Sequence, residues 1–235
     1  MASKSDFMKS RKGIIINTTS KKMEQTVIVA LLQTVDYIEN KFNIVLDHVP
    51  NMYLKDIVIE LRERYRDVDF SYRFDSSSMR PDGGILSIVS KDNKKYPILI
   101  TEVKNQGTND ILMAQGKPKQ SKGNAIERLG KNVIGFRTIL LNESIFPFVC
   151  FGDGCDFSPD SSILDRVITI SMFGELNKIR VHNEGPNGLF NRGSFYFREK
   201  KWSSKEMIKI MNEVAEKSVY YYFSKYGESN FIISK

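Results

Sequence analysis

Two carboxylates and a lysine carry the spacing of a phosphodiester-cleaving site. Asp82 lies in Arg80-Pro81-Asp82-Gly83-Gly84, and Glu102 and Lys104 lie in Thr101-Glu102-Val103-Lys104. Residues i and i+2 of a strand share a face, so Glu102 and Lys104 point the same way. The apolar run Ile98-Leu99-Ile100 leads into them and reads as a strand anchored in a core. Residues 84–90 read as the strand before it, with the polar tract 91–95 as the turn between. Such a hairpin sets Asp82 beside Glu102, and the two charged residues are expected to emerge at the strand end. Asp82 and Glu102 can each give an oxygen to Mg²⁺, which takes one or two carboxylates and keeps several waters. The metal would acidify a water and neutralise phosphoryl charge. Lys104 can orient that water or stabilise the transition state. Taken alone the pattern is short, and an ordinary surface salt bridge explains it as well.

A second segment has the composition of a base reader. In Gly123-Asn124-Ala125-Ile126-Glu127-Arg128 an Asn amide can bond adenine N6 and N7 together, and an Ala methyl can pack on a thymine methyl. Gly123 lets backbone approach a groove without a Cβ. Arg128 can reach a phosphate or base, and Glu127 can accept from an amino group or hold Arg128. The same residues also suit a plain helix start, with Asn124 as cap and a Glu–Arg surface pair.

The charge distribution favours a polyanionic partner. The chain has 235 residues and a net charge of +7. Residues 1–22 carry Lys4, Lys9, Arg11, Lys12, Lys21 and Lys22 against Asp6, and residues 117–137 carry Lys117, Lys119, Lys122, Arg128, Lys131 and Arg137 against Glu127. The remainder is slightly acidic, so the basic excess sits in two segments, as on a nucleic-acid-facing surface. The first segment also reads as a solvated arm.

Composition sets the other bounds. With 41% apolar and 27% charged residues the chain is globular. No apolar run approaches the ~18 residues of a membrane span, and the run Ile14-Ile15-Ile16 is too short for a signal peptide. Cys150 and Cys155 match no zinc or redox spacing and read as reduced thiols of a cytosolic protein. Gln115-Gly116-Lys117-Pro118 lacks the glycine and the Ser or Thr of a P-loop. His48 and His182 stand alone, so a histidine metal site is not expected.

The elements that must hold these residues can be read from periodicity. Residues 23–42 and 54–65 read as amphipathic helices, 68–74 as a strand, and 105–122 as a polar loop. Residues 124–142 read as a helix, and 147–151, 167–171 and 195–197 as strands. A long helix over 203–226 opens on the capping-box spacing Ser203-x-x-Glu206 and ends at Gly227. Tyr220-Tyr221-Tyr222-Phe223 on it read as core and dimer packing. This order implies α/β architecture: a mixed central sheet flanked by helices. With no linker or repeat, residues 23–235 read as one domain behind a basic arm, 1–22.

The motifs together resemble the EcoRI-like type II restriction endonucleases. The resemblance rests on PDGGI at 81–85, EVKNQG at 102–107 and GNAIER at 123–128, and continues through 142–149 and the Phe157 region. It implies a PD-(D/E)xK nuclease fold, a homodimer, Mg²⁺-dependent cleavage of double-stranded DNA, and a palindromic site with an AATT core. By that match Asp82, Glu102 and Lys104 fall on catalytic positions, with Asp82 and Glu102 as metal ligands. Gly123, Asn124 and Ala125 fall on base-reading positions, supported by Glu127 and Arg128, and Lys131 is a candidate phosphate contact. A bacterial cytoplasmic enzyme of this kind is expected beside a cognate DNA methyltransferase. Ser121-Lys122 departs from the Ala-Ala that precedes the glycine in part of the family. Lysine offers only donors, which suit guanine O6 and N7, and a family member reading CAATTG carries a basic residue there. Lys122 therefore favours CAATTG, then GAATTC, then AATT alone. The competing readings are another PD-(D/E)xK nuclease, for repair or junction resolution, and a non-catalytic DNA-binding protein.

Overall fold

Five of the strands assemble into one mixed sheet in the computed structural model, which describes residues 7–9, 15–17, 22–105, 116, 124–183 and 188–233. For 7–9, 15–17, 22, 105, 124 and 125 the backbone alone is described. The chain runs through β1 (Phe7–Lys9), β2 (Ile15–Asn17), α1 (Lys22–Phe42), β3 (Leu46–Val49), β4 (Met52–Tyr53) and α2 (Leu54–Arg64). It continues through β5 (Ser78–Met79), β6 (Gly84–Val89), β7 (Lys95–Asn105), α3 (Asn124–Ile139) and β8 (Phe148–Asp153). It ends with α4 (Ile163–Ile170), β9 (Ser194–Arg198) and α5 (Ser204–Tyr226). The sheet order is β3-β6-β7-β8-β9. The first two pairings are antiparallel, and β7–β8 and β8–β9 are parallel. This is the expected mixed sheet flanked by helices.

Strand alternation divides the core into two layers. Val149 and Phe151 of β8 pack with α1 and α5 residues such as Leu31, Val35, Met211 and Val214. Phe148 and Cys150 face the other way, toward Leu129, Val133 and Phe136 of α3 and Ile163 and Val167 of α4. The central strand of the sheet, β7, carries a proline near its start, which cannot donate to a ladder. Pro97 is accommodated by a register shift: Leu86 pairs with Leu99 and Ser87 with Pro97, so Ile98 is the extra residue of a bulge. Ile98 and Leu99 consequently both belong to the α1–α5 layer.

Helix α5 opens as its sequence indicates. Ser203 and Glu206 form a reciprocal capping box, and Gly227 closes the helix at φ 84. Tyr222 is fully buried and Tyr220 half exposed, so the aromatic run does contribute to the core.

Two strand expectations are corrected. Residues 68–74 form no strand: Val68 and Phe74 are exposed, and the segment folds back so that Arg62 donates to the Phe70 carbonyl. The open edge of β6 is taken instead by β3, a strand the sequence reading missed. Residues 167–171 lie in α4 and the turn after it. Ile163 and Val167 are the buried pair at helical spacing, and Thr169 Oγ1 bonds the Asp165 carbonyl one turn back. Within the basic segment 1–22, β1 and β2 pair antiparallel, Phe7 with Asn17 and Lys9 with Ile15.

Candidate active site

Asp82 reaches Glu102 through a turn pinned at both ends. The Gly83 amide donates to the Thr101 carbonyl at 2.8 Å, and the Gly84 amide to the Pro81 carbonyl at 3.0 Å. Gly84 sits at φ 78, where a side chain would be strained and its Cβ would strike the His48 ring. His48, on β3, contacts the Gly83 carbonyl through Nε2 at 2.9 Å. Burial lowers its pKa, so the ring is neutral and Nε2–H is the donor in that contact.

The turn delivers the Asp82 carboxylate to the end of β7. Its Oδ2 accepts from the Val103 amide at 3.1 Å. The Lys104 ammonium donates to Asp82 Oδ2 at 3.4 Å, to the Val103 carbonyl at 3.0 Å, and to Glu102 Oε1. The other Glu102 oxygen, Oε2, accepts from the Asn132 amide of α3 at 3.2 Å. Glu102 does not emerge at the strand end as the sequence suggests. It is 3% exposed, because α3 covers this face of β7.

Burial is the largest influence on both charges, and their neighbours decide the outcome. Desolvation raises the Glu102 pKa, and the like charge of Asp82 adds to it against the pull of Lys104. Desolvation also opposes the Lys104 ammonium, but Glu102 and Asp82 together outweigh it and hold its pKa above the usual value. Cys150, opposite Glu102 in the β7–β8 register, is fully buried with its thiol pKa raised by desolvation, which argues against a nucleophile there. Cys150 and Cys155 are not joined in a disulfide.

This arrangement fits a hard divalent cation. Three oxygens, one each from Asp82, Glu102 and the Val103 carbonyl, converge on a single positive charge, here the Lys104 ammonium. Among the described residues no group of three or more His, Cys, Asp or Glu converges. The set is oxygen-only with two carboxylates, the chemistry Mg²⁺ selects over softer metals.

The second motif lies along α3. Lys122 and Gly123 fall outside the described residues, and Asn124 and Ala125 open the helix. Glu127, Arg128 and Lys131 are exposed on one side, while Ile126, Leu129, Val133 and Phe136 are buried on the other. So the first turns of α3 present Glu127, Arg128 and Lys131 outward, with Ile134 exposed beyond them, and Asn132 faces inward to Glu102. The sequence reading missed Asn132 and His48. A polar residue among the core-facing positions of α3 was a usable signal for Asn132. His48 gave none, because its strand was not recognised.

Comparison with known proteins bears out the family resemblance. The family model described as restriction endonuclease EcoRI matches residues 9–229. The type II restriction enzyme RsrI of Cereibacter sphaeroides is 33% identical over 179 residues, covering 62% of this chain and 64% of that protein. The type II restriction enzyme EcoRI of Escherichia coli is 28% identical over 180 residues, covering 61% and 65%. The match therefore spans just under two thirds of the length of each relative.

Proposed function

Since the chain belongs to the EcoRI family of restriction endonucleases, we propose that it is a type II site-specific deoxyribonuclease hydrolysing double-stranded DNA with Mg²⁺. The observation that carries this reading is the meeting of Asp82, Glu102 and Lys104 at one end of β7. Asp82, Glu102 and the Val103 carbonyl would hold the metal. Bound there, Mg²⁺ would lower the pKa of a water and neutralise charge on the phosphoryl oxygens. Lys104, whose ammonium lies against both carboxylates, would orient the water or meet the charge developing on the phosphoryl oxygens. Asn124 and Ala125 would read the AATT core, with Gly123, Glu127 and Arg128 shaping the same surface and Lys131 meeting phosphate.

The outer base pair falls to Lys122, which favours CAATTG, then GAATTC, then AATT alone. A palindrome read by identical motifs calls for a homodimer. In the bacterial cytoplasm a cognate DNA methyltransferase would protect the host genome. The test is digestion of plasmid DNA of known sequence with Mg²⁺, followed by mapping of the fragment ends. Discrete ends at one palindrome are expected. A smear or structure-dependent nicks would point to another nuclease, and a gel shift without cutting to a non-catalytic binder. Either would overturn the proposal. Cleavage confined to GAATTC, or an unchanged outer base in Lys122→Ala, would remove Lys122 from the reading role.

A further inference from the structure

We propose that Asn132 is a positioning residue that ties the seating of α3 on DNA to the Glu102 carboxylate. The inference rests on the reading of Glu102 as a metal ligand and of the start of α3 as a base reader. Asn132 is 9% exposed, and its Nδ2 donates to Glu102 Oε2 at 3.2 Å. A buried amide is costly unless bonded, and asparagine is a poor helix former, so neither core packing nor helix propensity accounts for it at this position. Glu102 is held from two directions: by Lys104, on its own strand, through Oε1, and by Asn132, on α3, through Oε2. Without Asn132 the carboxylate keeps, among the described residues, a partner on one oxygen only, and can turn about its last torsion. α3 is a 16-residue helix, with Asn124 at its first position and Asn132 about two turns on. A helix of that length moves nearly as a rod. A bond of 3.2 Å is lost beyond ~3.5 Å, so a slip of a few tenths of an ångström along the axis is enough to release Glu102. A duplex that seats α3 imperfectly then meets a carboxylate out of place, and discrimination gains a component at the chemical step besides that at binding.

Asn132→Ala and Asn132→Leu test this, the second because leucine is close to asparagine in size and leaves no cavity. Thermal melts identify the folded variant to use. The duplex carries the palindrome mapped by digestion, and a second duplex carries it with one base pair changed. Calorimetric titration of Ca²⁺, a cation with the same preference for oxygen, into the protein–duplex complex should show affinity lower by ~10–100-fold. Metal-free binding of the mapped duplex should be unchanged. Single-turnover cleavage with Mg²⁺ should fall by ~10–100-fold on the mapped duplex and by less on the altered one, so the ratio of the two rates shrinks. Wild-type Ca²⁺ affinity and an unchanged rate ratio in a folded variant would overturn the inference. Glu102→Gln separates the two levels: if it still cuts, the reading of the site is wrong. If it is inactive while the Asn132 variants behave as wild type, this inference alone fails.

Discussion

Burial disfavours the charge on both Glu102 and Lys104, but their neighbours treat the two unequally, and the consequence is a testable division of labour. Lys104 faces two carboxylates and stays protonated, whereas Glu102 faces one ammonium and one like charge. A charge at the scissile phosphate, as proposed for Lys104, would contribute to the transition state far more than to DNA binding. Lys104→Ala should therefore lower the cleavage rate by at least ~10²-fold while specific duplex binding without metal persists. Asp82→Ala should also stop cleavage, and should tighten metal-free binding by removing a negative charge near phosphate. Gel-shift and cleavage assays on the same preparations decide it, and near-wild-type cutting by Lys104→Ala would sink the catalytic assignment. At this scale the sequence was informative where chemistry follows from local spacing. Strand period two and a hairpin suffice to bring Asp82, Glu102 and Lys104 together. Asn132 and His48 meet the site only through the packing of α3 and the pairing of β3, which no local spacing encodes.

Helix ends are local events, so the start of α5 was readable, and it carries a pH dependence. The Glu206 pKa is lowered to about 2, first by hydrogen bonding from Arg198 and then from Ser203. The native value lies below the ordinary 4.5, so the contribution is complete above about pH 4.5 and is lost as pH falls through about 2. The side chain is 41% exposed, so screening keeps the effect under ~1 kcal/mol. Glu206→Gln should melt slightly below wild type at neutral pH, and the gap should close between about pH 4.5 and pH 2. A gap independent of pH would mean that charge has no part in the cap. By contrast α4 was misread as a strand, since its β-branched residues favour extended structure locally. Its helical form rests on Ile163 and Val167 sharing a buried face beneath α3. The pairing of β3 with β6 depends on residues about forty apart and was likewise invisible.

For the whole molecule the element order was enough to give a helix-covered mixed sheet, but not which helix covers which face. That assignment matters for assembly. α1 and α5 occupy one face, held together by Tyr37 and Lys41 on Glu216 at 2.8 and 2.5 Å. The opposite face carries α3 and α4 and with them the site. Ile134 on α3 is 68% exposed, and Leu141 and Phe173, in the turns after α3 and α4, are 53% and 78% exposed. If the proposed palindrome is read with two-fold symmetry, large apolar side chains left in water are candidates for burial against a second copy. A stable interface of this kind buries on the order of 1,200–2,000 Å² in total. Sedimentation should accordingly give twice the 27.0 kDa of the chain. Ile134→Lys should shift the protein toward monomer by placing a charge where apolar surface is to be buried. Its effect on DNA should differ in kind from that of Lys104→Ala: supercoiled plasmid should accumulate as nicked circles, because each monomer presents one catalytic site, whereas Lys104→Ala should leave the plasmid intact. A chain that remains monomeric on its duplex yet linearises plasmid in one encounter would contradict the dimer. An Ile134→Lys variant that sediments and linearises as wild type would remove this side chain from the interface.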